Sequence, residues 1–385
     1  MNYIHRYETD AQFQAEFYGP NYKEPWVSYT KQTEKVKFNK TKEDLLGTPL
    51  TFDIVSGGSL LWKANVSSLT KTIEYSKNDG AWTEITSTTA GTQISVSAGD
   101  TVKFRGDNDT YLGVNNGQYC SFGGDASVKF NVSGNIMSLI DSDGFVDLRT
   151  FEQPYVFYSL FRQCSGLTDA SELMLPATAL TNYCYYYMFA ACPSLTKGPA
   201  ELPATTLATG CYWYMFTDCP LLTEAQSELP APVMVDSCYR AMFTRSGLVN
   251  APEILAESID GTGYLNVCDG MFEACTSLVK APSILRPTAL CNNAYQYMFY
   301  GCSNLQRAPE LPAETLITSC YNQMFYNCSK LNYVKCLATD ISAANSHNNW
   351  LYGVAASGTF VKPASMTGWP SGAAGIPSGW STQNA

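Results

Sequence analysis

The stretch Cys184–Gly210, CYYYMFAACPSLTKGPAELPATTLATG, is followed at once by a second version of itself, CYWYMFTDCPLLTEAQSELPAPVMVDS, over Cys211–Ser237. A Met-Phe pair marks most copies, with Leu-Phe in the first. The marker phenylalanines recur at intervals of 26 to 29 residues, at Phe161, Phe189, Phe216, Phe243, Phe272, Phe299 and Phe325. A fixed period of about 20 to 50 residues is typical of a stacked array of repeats. We therefore predict a solenoid, and place it at residues 151–345.

Each copy carries a pattern that predicts its local structure. Cys184, Met188 and Cys192 are spaced i, i+4 and i+8, as on the apolar face of a short helix. Pro199 and Pro203 exclude a helix from the next segment and leave room only for a very short strand. We expect the leucines six residues after the marker Phe to form a continuous core: Leu195, Leu222, Leu278, Leu305 and Leu331.

The 14 cysteines keep a fixed place relative to the markers. Several lie three residues after the marker Phe, as Cys192 and Cys219 do, and others lie four before the marker Met, as Cys184 does. A free Cys behaves as a small buried hydrophobic residue, so these positions predict inward ladders of reduced thiols. A disulfide framework is the alternative. With no CxxC pair and only two His, we expect no metal site and no cofactor.

Residues 48–150 predict an all-β domain, because short alternating runs are separated by turn residues. Asn78-Asp79-Gly80 predicts a tight hairpin between Thr72–Ser76 and Trp82–Ile85. Ala98-Gly99-Asp100 suggests a second hairpin, between Ile94–Val96 and Val102–Phe104. About eight strands in this length favour a β-sandwich.

The two ends of the chain differ in composition from the repeats. Residues 1–47 are rich in Tyr and Phe, which either pack on the next domain or attach the chain to a partner subunit. Residues 346–385 are rich in Gly and Trp, and we expect them to cap the open end of the solenoid.

Charge and composition exclude several classes of function. The net charge of −10 argues against nucleic-acid binding, which depends on Lys and Arg. No run of about 18 apolar residues is present, so we expect no membrane insertion. The first residues lack the apolar core of a signal peptide, although a trimmed leader would look the same. With His5 and His347 both outside the repeats, we expect no catalytic residues.

Binding is the function that the repeats leave open. Two positions per copy, between the Cys-Tyr pair and Met-Phe, change from copy to copy while the core residues stay the same. Aromatic and polar side chains in a row suit contacts with sugar rings or with a protein; packing against the neighbouring layer is the alternative. The candidate ligand-binding residues are Tyr186, Tyr187, Trp213, Tyr214, Arg240, Gln296 and Tyr297.

The unit MFxxCxxLxxAPxLPATTLxxxCYxxMF resembles the BspA-type (Treponema-type) leucine-rich repeat, with Met188 and its equivalents in place of the family's Ala. The variant resembles those of Bacteroidales surface proteins and of Bacteroides phages, and Trp350–Trp380 resembles the terminal cap of that group. The resemblance implies adhesion or recognition without catalysis.

Together these observations predict an α+β multidomain protein with an N-terminal attachment arm, a β-sandwich, a leucine-rich-repeat solenoid and a C-terminal cap. We expect a non-enzymatic phage virion surface protein that adheres to a host-surface glycan or protein and meets other virion proteins through its arm. A bacterial surface adhesin without its leader and a purely structural decoration protein are the alternatives, and association of the chain with copies of itself is left open.

Overall fold

The computed structural model describes residues 40–108, 112–115, 117–261, 265–372 and 374–385. Most of the predicted arm, residues 1–47, therefore lies outside the described residues, while Thr41–Ala385 forms one compact unit. The first part of that unit contains α1 (Lys42–Leu46), β1 (Leu50–Ser56), β2 (Gly58–Ala64), β3 (Thr72–Lys77), β4 (Thr83–Thr86), β5 (Thr92–Val96), β6 (Thr101–Arg105), β7 (Gly113–Asn115), β8 (Gln118–Gly124), β9 (Lys129–Asn135) and a 3-10 turn at Ile136–Leu139.

The second part contains only short strands joined by turns. They are β10 (Leu167–Met174), β11 (Glu228–Leu229), β12 (Val233–Met234), β13 (Glu253–Ile254), β14 (Ser258–Ile259), β15 (Arg307–Leu311), β16 (Tyr333–Cys336), β17 (Gly358–Lys362) and β18 (Trp380–Asn384). About 3% of the described residues are helical. The predicted solenoid is therefore present, as a C-terminal β-solenoid of about six turns, but the described residues are almost all β instead of α+β.

Two sheets form the N-terminal part. One has the strand order β10-β9-β1-β6-β3-β4, and the other has the order β5-β2-β8-β7. Buried aromatic rings join the two sheets. The ring centroid of Phe52 in β1 lies 4.8 Å from that of Phe104 and 4.6 Å from that of Phe130, both in its own sheet. It lies 4.9 Å from the ring centroid of Phe122 in the other sheet. Such close aromatic contacts add to the stabilisation that burial itself provides.

One of the two predicted hairpins is present. β3 and β4 pair antiparallel, and Asn78 and Asp79 have φ of 52° and 57°, as the tight turn requires. The second predicted hairpin is wrong, because β5 pairs with β2 whereas β6 pairs with β1 and β3. The turn at Ala98–Asp100 therefore carries the chain from one sheet to the other.

The N-terminal sheets continue directly into the solenoid. β9 pairs in parallel with β10, the first strand of the repeats. The first marker ring, Phe161, lies 6.1 Å from Phe52 and 5.8 Å from Phe122. The two parts consequently share one hydrophobic core, and the sheets cover the end of the solenoid that would otherwise expose apolar side chains.

In the described residues of the repeats the predicted helix is absent, and a chain of linked turns takes its place. In Tyr185–Ala191 the backbone N–H groups alternate between two kinds of acceptor. Tyr185 and Tyr187 donate to Cys211 and Trp213 of the next coil, at 3.0 and 3.2 Å. Tyr186 and Met188 donate three residues back within the same coil. Half of the donors that an α-helix would use internally thus hold neighbouring coils together.

Every fourth residue of these turns is left-handed. The triplet is Tyr183, Tyr187 and Ala191 in one coil, with φ between 56° and 57°. Counting the segments that flank the solenoid, eight successive segments carry such a triplet. A left-handed conformation costs an L-residue roughly 1–2 kcal/mol, so the hydrogen bonds between coils and the buried core offset a repeated local strain.

The faces predicted for the repeat are present despite the missing helix. Cys184, Met188 and Cys192 are fully buried, and the leucine core is buried in each coil. Successive marker rings stack with centroids 5.3–5.6 Å apart. A four-residue turn period and the 3.6-residue helical period diverge by only about 80° over these nine residues, so the spacing predicts the faces correctly and the backbone incorrectly.

The cysteines form the predicted ladders. All 14 are buried and unbridged. The thiol of Cys192 donates to the carbonyl of Phe161 at 3.0 Å, and Cys219 donates to Phe189 at 3.1 Å. Cys302 and Cys328 repeat this contact with the preceding marker Phe at 3.0 Å. Each of these four thiols thereby connects its coil to the one before, whereas the thiols of Cys211 and Cys238 lie against carbonyls of the coil after.

The C-terminal residues extend the solenoid and close its core. β15, β16, β17 and β18 form one parallel sheet. Trp350 is fully buried and stacks on Trp369 at 5.2 Å, with Phe360 at right angles to both rings. These large rings fill the space beyond the last marker Phe.

The left-handed positions can be tested with two adjacent alanines. Ala191 has φ of 56°, and the equivalent residues of later coils are Gly301 and Gly353; Ala190 is not left-handed. We expect Ala191→Gly to raise the free energy of unfolding by about 1 kcal/mol, because glycine relieves the left-handed strain. Ala190→Gly should lower it by a similar amount. Denaturant unfolding measures both, and equal destabilisation by both would contradict the assignment.

Thiol accessibility tests the buried ladders. Burial raises the pKa of Cys164 to about 11 and that of Cys211 to about 12, so these thiols are neutral at pH 8. A disulfide-exchange reagent should label no thiol in the native protein and all 14 in denaturant without reductant. Fewer than 14 in denaturant would reveal disulfide bonds instead of reduced thiols.

Candidate functional site

The copy-specific residues form two rows along the solenoid. The first row contains Tyr186, Trp213, Arg240, Asp269, Gln296 and Asn322. The second row, one residue later in each coil, contains Tyr187, Tyr214, Ala241, Gly270, Tyr297 and Gln323. Every residue of the second row is left-handed, with φ of 49° to 60°.

The first row begins as a stacked ladder of rings. Tyr186 lies between Tyr158 at 5.4 Å and Trp213 at 5.1 Å. The guanidinium of Arg240 lies over the far face of Trp213, 4.7 Å from the ring centroid. A cation over an indole face is electrostatically favourable, so Arg240 ends the ladder and covers its last ring.

The second row begins with a parallel pair. Tyr187 and Tyr214 stack at 4.9 Å with an angle of 4° between their planes. The guanidinium of Arg162 covers the other face of Tyr187, at 4.5 Å. Both faces of Tyr186, Trp213 and Tyr187 are therefore occupied, and these rings offer solvent mainly their edges.

The structure thus groups the candidate residues unequally. Tyr187, Trp213, Tyr214 and Arg240 are contiguous and partly exposed, whereas Tyr186, which packs among them, is buried and only 6% exposed. Gln296 and Tyr297 lie two coils further on, beside a second ladder that the sequence analysis missed. In that ladder Tyr326 stacks between Tyr300 at 4.9 Å and Tyr352 at 4.7 Å. The position after Met-Phe, tyrosine in two adjacent copies, was the sequence signal for it.

Two arginine–aspartate ion pairs lie next to the aromatic residues of the rows. Arg240 Nε lies 3.1 Å from Asp269 Oδ2. Arg245 makes a two-pronged contact with Asp218, at 2.6 and 2.9 Å. Burial raises the pKa of Asp269 to about 6 despite the opposing effect of Arg240, so Asp269 titrates within a physiological pH range.

Glutamates near the short strands lie on a solvated face of the solenoid. Glu224 pairs with Lys197 at 3.0 Å, and Glu310 pairs with Lys335 at 2.9 Å. These are contacts between adjacent coils, and pairs this exposed contribute little to stability. They give no sign of an acid–base pair around a substrate.

Two polar segments of the N-terminal part, Arg105–Asp107 and Asp141–Gly144, use their charged side chains for contacts within the protein. Arg105 pairs with Glu74 at 2.7 Å and lies over Trp82, while the carboxylate of Asp107 accepts from the backbone N–H of Ser142. Asp141 accepts from the N–H groups of Asp143 and Gly144, at 3.1 and 2.7 Å. Both loops use their carboxylates internally.

In the part of the chain that the structure describes, no group of three or more His, Cys, Asp or Glu side chains could hold a metal ion. His347 lies in the C-terminal region beside Ser346 Oγ, at 2.8 Å, and burial lowers its pKa. His5 lies outside the described residues.

Within the described ranges, no helix has the length and apolar character needed to cross a bilayer.

Comparison of the chain with protein-family models, with curated proteins and with solved structures found no match.

The raised pKa of Asp269 predicts a pH-dependent stability. Its pKa is about 6 in the folded protein and 3.8 ordinarily, so between these values the folded state binds more protons than the unfolded state. Lowering the pH from 7 to 5 should stabilise the wild type relative to Asp269→Asn by about 1 kcal/mol. Denaturant unfolding at pH 7, 6 and 5 measures this difference, and a constant difference would contradict the burial of a titrating carboxyl.

Proposed function

We propose that this chain is a non-enzymatic surface protein of a phage virion, and that its solenoid binds a glycan or protein on the host surface. The observation that carries the proposal is the pair of copy-specific rows on a repeated core. The core residues stay nearly constant from coil to coil, whereas the row residues are aromatic in some coils and charged, small or amide-bearing in others.

Three properties of the rows support binding. The first five candidate residues lie together on a rigid scaffold, because the backbone of each is hydrogen-bonded both within its own coil and to one neighbouring coil. Stacked tyrosines lose little side-chain freedom when they meet a partner. Aromatic and arginine side chains also supply most of the binding energy in many interfaces.

We also propose a type or a role for each part of the chain. The repeats are of the BspA leucine-rich type in sequence, the two N-terminal sheets are a β-sandwich, and residues 1–47 attach the chain to other virion proteins. In this arrangement the sheets cover the near end of the solenoid and keep its rows away from the particle.

Two other functions are compatible with parts of this proposal. A bacterial cell-surface adhesin would use the same rows but would be encoded away from capsid and tail genes. A purely structural decoration protein would have no ligand, and its deletion would lower particle stability without changing adsorption to the host.

A direct binding experiment tests the proposal. Fluorescently labelled protein should bind host cells saturably, and excess unlabelled protein should compete. Trp213→Ala combined with Tyr214→Ala should weaken binding by about tenfold or more, as expected for aromatic contact residues. Lys197→Ala, on the strand face, is the control and should bind as the wild type does. Absence of saturable binding by the wild type would leave the structural alternative.

A further inference from the structure

The second row is interrupted by two small residues between its two aromatic parts. After Tyr214 the next two coils carry Ala241 and Gly270, and tyrosine returns only at Tyr297. Ala241 is 7% exposed and Gly270 is buried, whereas both tyrosines are partly exposed. The two smallest residues of the row therefore form the floor of a notch, defined here by Ala241, Gly270, Tyr214, Arg245 and Glu273.

One wall of the notch is the ring of Tyr214, which stacks on Tyr187 and also lies 5.4 Å from the ring of Trp213. Tyr187 covers one face of Tyr214. At the same place in the next coil there is only the methyl group of Ala241, so no ring continues the stack on the other side. Tyr214 thus differs from Tyr187 and Trp213, whose second faces are covered by arginines.

The other groups around the notch are polar. Ala241 and Gly270 follow Arg240 and Asp269, which pair with each other at 3.1 Å. The hydrogen bond to Asp218 raises the pKa of the Arg245 guanidinium, and Glu273 and Tyr214 lie close enough to add to this effect. Donors and acceptors of hydrogen bonds consequently alternate around a small apolar floor.

Glu273 is the group that lacks a partner. Its carboxylate reaches over Gly270, since a Cβ placed on that glycine would lie 3.2 Å from Glu273 Oε2. Among the described residues it makes no ion pair within 4.0 Å and accepts no hydrogen bond, and burial raises its pKa. A half-buried carboxylate without a donor is costly, and a hydroxyl from a ligand would satisfy it.

We propose that this notch binds a neutral, hydroxyl-rich ligand, one sugar unit of a glycan chain. The apolar face of a sugar ring would pack on Tyr214, its hydroxyls would donate to Glu273, and its oxygens would accept from Arg245. Both arginines already have carboxylate partners, so no unpaired cation favours a phosphate, sulfate or acidic sugar. This inference rests on the proposed binding function and narrows it to one site and one ligand class.

The row itself provides a substitution that fills the notch without disturbing the fold. Ala241 has φ of 49°, and Tyr187 and Tyr214 adopt nearly the same conformation in the same row, with φ of 57° and 56°. Ala241→Tyr would extend their stack by one ring and cover the free face of Tyr214. Gln323→Tyr places the same ring in the same row, at φ of 52°, outside the notch, and is the matched control.

Two experiments test the site. The wild type is first screened on an array of neutral and acidic glycans, and the best neutral oligosaccharide is then titrated calorimetrically. Ala241→Tyr should weaken affinity more than tenfold and Glu273→Gln about tenfold, with unfolding midpoints no lower than that of the wild type for Ala241→Tyr. Gln323→Tyr should bind as the wild type does.

The possible failures separate the two proposals. If Ala241→Tyr bound a neutral glycan with unchanged affinity, the proposal that the notch is the binding site would be wrong, and the proposed binding function would still stand. So would a wild type that binds host cells but only acidic glycans, or none. A wild type that binds neither glycans nor cells would overturn both.

Discussion

The alternation of backbone hydrogen bonds determines the rest of this structure. In each coil one N–H donates within its own turn and the next donates to the adjacent coil. Because this pattern needs a left-handed residue at every fourth position, no coil can keep it alone without strain. Stacking is therefore required twice, once to satisfy the backbone and once to bury the Cys, Met and Phe side chains.

The same constraint decides what the sequence could predict. The repeat period, the buried faces and the leucine core follow from side-chain spacing, and the structure has all three. The backbone of the repeat does not follow, because Tyr187, Ala191 and Arg245 are not residue types that indicate a left-handed conformation. The hairpin at Ala98–Asp100 failed for a different reason: a local turn signal does not say in which sheet the next strand will pair.

The candidate site was predicted as a set of positions, and only the structure shows what each position offers. Sequence spacing places Tyr186, Trp213 and Arg240 in one row, as observed. It cannot show that stacking between coils covers their faces, because that depends on the distance and angle between layers. The second ladder, at Tyr300, Tyr326 and Tyr352, follows the marker pair instead of preceding it, and only two Met-Phe copies carry tyrosine there, so the repeat pattern alone did not predict it.

The left-handed triplets also restrict which side chains the surface can display. Val, Ile and Thr are strained in this conformation, and Pro cannot adopt it. None of the four occurs at a triplet position; these sites carry Tyr, Asn, Gly, Ser, Ala, Gln, Asp and Arg. Fewer residue types are therefore available for evolving a new binding specificity at these positions. A library of variants that randomises the second row would contain more folded proteins if it omitted those four residues.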